Sequence, residues 1–277
     1  MIFQNLDKKD WLHRDYLSTD KKEGLRCLSN ALICDPDDGY LWHELGDRYA
    51  DFDSEKAEYC WKHAKRSYKK RLEQFKVDAE KYSKDKSHLL FMDISSSDVQ
   101  QVIASMYFSL GSIHMNLDEH FDAVEAYMKS FSIKDNDPDC LYLAGEAYYY
   151  EDKLDDAEKM IQENLELTDD YRSYYLLGII QWKQGKHFLA QENFWKCLEW
   201  CGYDADSCYY KHLAYHALGN PKKTELYLKK AFELESSTKR AFDLIKYYEE
   251  TGKNQKCKKY YDFLHKIHRT MKKEASK

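Results

Sequence analysis

Proline and glycine are scarce in this chain, at 3 and 10 of 277 residues, and no run of about 18 apolar residues occurs. So few turn-formers, set beside abundant Lys, Glu, Leu and Ala, argue for long helices joined by short loops. The missing apolar run excludes a membrane-spanning helix. The opening residues Met1 to Lys8 also lack the apolar stretch of a signal peptide, so a soluble, cytoplasmic protein is expected. Gly-x-Gly-x-x-Gly, Gly-x-x-x-x-Gly-Lys, His-Glu-x-x-His and Gly-x-Ser-x-Gly are all absent. No catalytic residue and no cofactor is therefore expected.

Eight cysteines are present, several at helix positions that call for a small apolar side chain. That pattern fits buried thiols in a reducing compartment better than a disulfide framework. The formal charge of −6 hides an asymmetry: residues 62 to 86 hold ten Lys/Arg against four Asp/Glu, and residues 253 to 277 hold nine against two. Two basic segments thus flank an acidic middle.

What the chain does have is a small residue at a near-constant interval. Gly111, Gly145 and Gly178 are 34 and 33 residues apart, with Gly46 and His212 as outer members. A period of this length marks stacked helical hairpins, in which a small residue lets two helices approach while large side chains fill the space on either side. The clearest copy reads Trp42-x-x-Leu45-Gly46-x-x-Tyr49, followed by Ala57, Trp61 and Ala64. Three more are strong: Tyr107, Leu110 and Gly111 with Ala123, Tyr127 and Ser130; Leu141, Gly145 and Tyr148 with Ala157 and Ile161; Tyr174, Leu177 and Gly178 with Ala190, Phe194 and Cys197. Two are degenerate, one with His212 in place of glycine and one around Leu244 and Tyr248. A first copy shows mainly in its second helix, through Gly24, Leu28, Ala31 and Pro36, and its first helix is placed around Lys8 to Leu17.

Over most of its length the chain resembles the tetratricopeptide repeat family. The resemblance implies an all-α fold, an α-solenoid or right-handed superhelix of about seven stacked hairpins, and a non-catalytic scaffold or adaptor that binds a peptide segment or partner protein in a concave groove. A subset of the family grips acidic chaperone tails with Lys, Asn and Arg, but His43 with Asp47, and Phe108 with Ser112, do not match that clamp.

The period breaks once. Gly46 and Gly111 are 65 residues apart, and Ala57, Trp61, Ala64, Tyr68, Leu72, Phe75, Ala79 and Tyr82 continue one apolar stripe between them. The stripe predicts a single over-long helix from residue 54 to about 83, then a linker containing Leu89 to Met92 and a helix starting near Val99. A degenerate extra repeat over residues 70–103 is the alternative. The expected organisation is 1–83 as N-terminal hairpins ending in the long helix, 84–98 as linker, 99–268 as five repeats and 269–277 as a basic tail.

On the first helices of the hairpins, the positions expected to face a ligand include Phe108, Tyr142, Tyr175, Tyr209 and Phe242, one aromatic column in five successive copies. Glu146, Tyr149, Trp182 and His216 extend the same candidate groove. Aromatic rings offer large apolar area at small entropic cost, although plain packing between repeats accounts for them too. Asp47, Asp139, Glu146 and Asp206 on this face favour a neutral or basic, apolar-anchored ligand.

Two other constellations suggest chemistry. Cys197, Cys201, Cys208 and His212 have metal-like spacing, yet Cys197 and Cys208 stand at motif positions filled by core residues, so packing thiols are the better account and no metal is expected. Lys62, Lys65, Arg66, Lys69, Lys70 and Arg71 form a basic patch with Tyr68 and Phe75 interleaved. It reads as a solvated helix face, with an acidic protein surface or RNA as alternative partners. A self-assembling subunit, with the long helix or the Leu89 to Met92 run as interface, is a further alternative.

Overall fold

A computed structural model of the protein describes residues 7–17, 21–50, 53–84, 97–134 and 137–275. Among them are fourteen α-helices and no strand. The helices are α1 (Lys8–Leu17), α2 (Lys21–Cys34), α3 (Gly39–Ala50), α4 (Ser54–Lys84), α5 (Ser97–Asn116), α6 (His120–Ile133), α7 (Pro138–Tyr150), α8 (Leu154–Leu167), α9 (Tyr171–Lys183), α10 (His187–Trp200), α11 (Ala205–Ala217), α12 (Pro221–Leu234), α13 (Thr238–Glu250) and α14 (Lys258–Ala275). This is an all-α helical-hairpin repeat fold. The over-long helix is α4, 31 residues where α2, α6, α8, α10 and α12 each have 14. It runs as one piece to Lys84, into the 70–103 stretch where an extra repeat is the alternative, and α5 begins two residues before Val99. The Leu89 to Met92 run lies outside the described residues. Residues 269–275, set apart above as a tail, continue α14.

The chain divides into two compact units, Met1–Lys153 and Leu154–Lys277. In the first, Trp11, Cys27, Leu28, Leu41, Leu45 and Cys60 form one buried cluster, and Ala64, Tyr68, Leu72, Leu110, Ile113 and Ala126 form the next. In the second, Phe194, Cys197, Cys201 and Ala214 pack together, and Leu228, Phe232, Leu244 and Tyr248 anchor another cluster. Each cluster draws on neighbouring hairpins, which is how a repeat that cannot bury its own apolar face becomes stable.

The turns inside the hairpins share one geometry. A residue with positive φ closes α5, α7, α9, α11 and α13: Asp118 (57°), Asp152 (56°), Gly185 (79°), Gly219 (69°) and Gly252 (69°). The next backbone N–H then reaches back to a carbonyl of the last helical turn, as from Lys186 to Gln181 (2.9 Å), Asn220 to Tyr215 (2.8 Å) and Glu119 to His114 (2.9 Å). This arrangement satisfies helix-end carbonyls and favours glycine. Asp118 and Asp152 accept the strained region, and their charge stands at the negative end of a helix. Asp118→Gly is therefore expected to raise the unfolding free energy by up to about 1 kcal/mol, read as a higher urea midpoint; a lower midpoint contradicts this account of the turn.

The helix starts are capped as their sequences suggest. Asp170 accepts from the backbone N–H of Arg172 at 3.0 Å, Asp204 from Ser207 at 2.8 Å, Asn220 from Lys223 at 3.2 Å and Ser237 from Arg240 at 3.3 Å.

Candidate functional site

The glycines of the period have a definite neighbour. A Cβ on Gly46 would stand 2.5 Å from the Trp61 ring, on Gly111 2.5 Å from Tyr127, and on Gly178 2.5 Å from Phe194. The close partner is thus an aromatic ring on the second helix of the same hairpin, rather than the facing backbone. Tyr127 and Phe194 are 1% and 0% exposed, so neither ring has room to yield. His212 breaks the pattern. Sixteen residues on, the step from Gly111 to Tyr127 and from Gly178 to Phe194, stands Leu228, which is fully buried. His212 itself is buried, with Nδ1 3.3 Å from the Thr224 carbonyl, and burial pushes its pKa down to about 4.

Within the first unit, the candidate groove residues differ in how much surface they offer. Phe108 is half-buried, with its ring edge 5.6 Å from Tyr127. Tyr142 is only 6% exposed, which makes it a core residue with almost no surface for a ligand. Glu146 and Tyr149 are half-buried, and Tyr149 meets Tyr150 edge-on at 6.0 Å. Beside α3, α4 and α5 an open cleft is lined by Tyr40, Tyr68, Arg71, Val102, Ser105 and Met106, with others around its rim.

In the second unit the column is more open. Tyr175 is half-buried between Phe194 (5.9 Å) and Tyr210 (5.6 Å), so it joins the hairpin of α9 to that of α11. Tyr209 packs near His212 with the Lys239 ammonium 5.9 Å over its ring, and burial together with the Asp243 carboxylate raises its pKa. Trp182 is 44% exposed and Phe242 60% exposed, and His216 is exposed as well.

Residues 104–137 and 171–203 each match the family model of the tetratricopeptide repeat. These two segments are tetratricopeptide repeats. The chain is similar to several solved structures, and the first of those that follow supports the fold. TTC0263, a thermophilic TPR protein of Thermus thermophilus, is 18% identical with a TM-score of 0.50, over 57% of this chain and 88% of its own. MamA is 22% identical with a TM-score of 0.42, over 66% and 93%, and pilF of Pseudomonas aeruginosa is 12% identical with a TM-score of 0.47, over 89% and 97%. No curated protein matches the chain. The tetratricopeptide fold is generally a scaffold for protein–protein interaction. No helix among the described residues is long and apolar enough to cross a membrane.

The remaining candidates sit on this tetratricopeptide framework as follows. Cys197 and Cys201 have sulfurs 3.9 Å apart, but the Cys208 thiol is turned to the Tyr203 carbonyl and His212 to Thr224. These four do not converge on one point. Among the described residues, the group of His, Cys, Asp and Glu whose ligand atoms do gather is His114, Glu119 and Asp122. The Lys65 ammonium already bonds both Glu119 oxygens there, at 2.6 and 2.8 Å, and its charge opposes a metal cation.

Three of the six residues of the basic patch are paired with carboxylates within the molecule. Lys62 pairs with Glu58, Lys65 with Glu119 and Lys70 with Asp37 (2.6 Å), while Arg71 lies 4.8 Å over the Phe75 ring. Arg66 and Lys69 are exposed. The Lys65–Glu119 pair spans 54 residues and the Lys70–Asp37 pair 33. Neither could be read from spacing along a helix.

Proposed function

We propose that the tetratricopeptide repeats of this chain form a non-catalytic adaptor that binds a peptide segment of a partner protein on the first-helix faces of its hairpins. The observation that carries this reading is the exposure of Trp182 and Phe242. Two large rings stand open on first helices of the second unit, where Tyr175 and Tyr209 are half-buried. Exposed aromatic side chains are the usual energetic anchors of an interface, because they bury much apolar area with few rotors to immobilise.

The double variant Trp182→Ala/Phe242→Ala removes two surface rings and leaves the glycine–ring pairs of the core untouched. Its dissociation constant for a partner captured from the native cell is expected to rise tenfold or more, with an unchanged melting temperature. An affinity within twofold of wild type sinks the reading.

A further inference from the structure

We propose that the outward face of α10 is a self-association surface, on which a second copy of this chain lays its own α10 antiparallel. The adaptor reading uses first helices; this surface belongs to a second helix and stands or falls separately.

Phe188, Glu192, Trp195 and Glu199 follow one another at steps of four, three and four, which puts them on one line along α10. Ala190, Phe194 and Cys197 hold the opposite line and are buried. The outward line is thus turned away from the core, yet Phe188 is 80% exposed there and Trp195 57%. Leu189 and Trp200 border it on one side, at 44% and 49%. The repeat does not call for rings at these positions. The same four places are Asp155, Lys159, Gln162 and Glu166 in α8, and Lys222, Leu226, Lys229 and Glu233 in α12. Rings that add nothing to the packing of their own hairpin, grouped on one exposed face, mark a contact with another surface.

Three observations point to a second copy as the occupant. Phe188 and Trp195, about 10 Å apart along the helix, are equidistant from the point between Gln191 and Glu192. A two-fold axis through that point lays each Phe188 on the other copy's Trp195, so one pairing covers four rings. The charges of α10 suit the same arrangement. Its first turn holds no acidic residue and its last turn no basic one, and Glu199 stands in that last turn, so nothing on α10 opposes its own helix dipole. An antiparallel neighbour does, because it sets each pole beside its opposite. Glu192, nearest the axis, is accompanied by Lys196 at 3.3 Å, so the two copies do not meet there as bare like charges. Area sets the strength. The four apolar side chains expose about 400 Å² per copy, half of the roughly 800 Å² that a stable interface buries on each partner. The pairing is therefore a reversible one.

The test is sedimentation velocity of the full-length chain at about 1 and about 100 μM, a span that brackets a reversible interface of this size. Wild type is expected to move from the 33.1 kDa of one chain toward twice that mass. Phe188→Ser/Trp195→Ser alters two surface positions and should stay at the mass of one chain throughout, with the melting temperature kept. The register has its own readout, taken in a Cys34→Ser background that removes the exposed native thiol. There Gln191→Cys, beside the axis, should be joined to a second copy by a short bismaleimide, whereas Gln162→Cys on the outward line of α8 should not. Wild type that keeps the mass of one chain at the higher concentration leaves this face to some other protein and overturns the proposal. A dimer that persists in the ring variant overturns it too, as does cross-linking at Gln162 as strong as at Gln191. None of these outcomes touches the adaptor reading, whose test is Trp182→Ala/Phe242→Ala.

Discussion

Gly178→Ala is expected to destabilise the protein by about 2 kcal/mol, although alanine is the better helix former. Propensity alone favours alanine in a helix interior by about 1 kcal/mol. Against it, the new Cβ would lie 2.5 Å from Phe194 Cε1, 2.7 Å from Cδ1 and 3.1 Å from the Ala190 carbonyl oxygen. Phe194 is fully buried and the carbonyl belongs to helix backbone, so the strain cannot be shed by a surface side chain swinging away. Overpacking of this kind costs about 3 kcal/mol at the upper end of its usual range, which leaves the net loss. Urea unfolding of the variant measures it. Phe194→Leu in the Gly178→Ala background should recover part of the loss, because the smaller side chain makes room for the new Cβ. A variant as stable as wild type would falsify the glycine–ring account of the period.

Acidification is expected to remove about 3 kcal/mol of stability through His212 alone. Burial holds the folded-state pKa near 4; the Thr224 carbonyl works against that depression and His216 adds to it. The rings of Tyr209 and Tyr247 also face it, at 5.8 and 6.4 Å. In the unfolded chain the same imidazole titrates near 6.5. Between those values the unfolded state binds a proton that the folded state refuses, so stability rises with pH across the interval. The contribution is complete above about pH 6.5, shrinks as pH falls, and stops changing below about pH 4, at about 1.4 kcal/mol per unit. The check is the slope of unfolding free energy between pH 6.5 and 4.5 in wild type and in His212→Gln, where the slope should flatten. An NMR titration placing His212 near 6.5 in the folded protein contradicts it.

The hairpins were legible because their constraint is local and repeated. Gly111, Gly145 and Gly178 recur at one interval, and the stripe from Ala57 to Phe75 marks α4 with its ends nearly right. What periodicity could not report is which residue stands opposite. The rings beneath Gly46, Gly111 and Gly178, the pairing of Lys65 with Glu119 and the trough beside Tyr40 all depend on how one helix is set against another. Asp118 and Asp152 were missed as left-handed turn residues because aspartate is common in turns of every kind. Tyr142 and Phe242 occupy equivalent positions in the column, yet one is 6% and the other 60% exposed. Repeat position alone does not decide exposure, because each copy has different neighbours.

The account rests on which face of the hairpins is used. Amide hydrogen exchange of the full-length chain, followed with and without a bound partner segment, reads that face directly. Slowed exchange is predicted in the first helices α9, α11 and α13 of the second unit and in α3 and α5 of the first. Protection confined to the second helices α10 and α12, with the first helices unchanged, would contradict it.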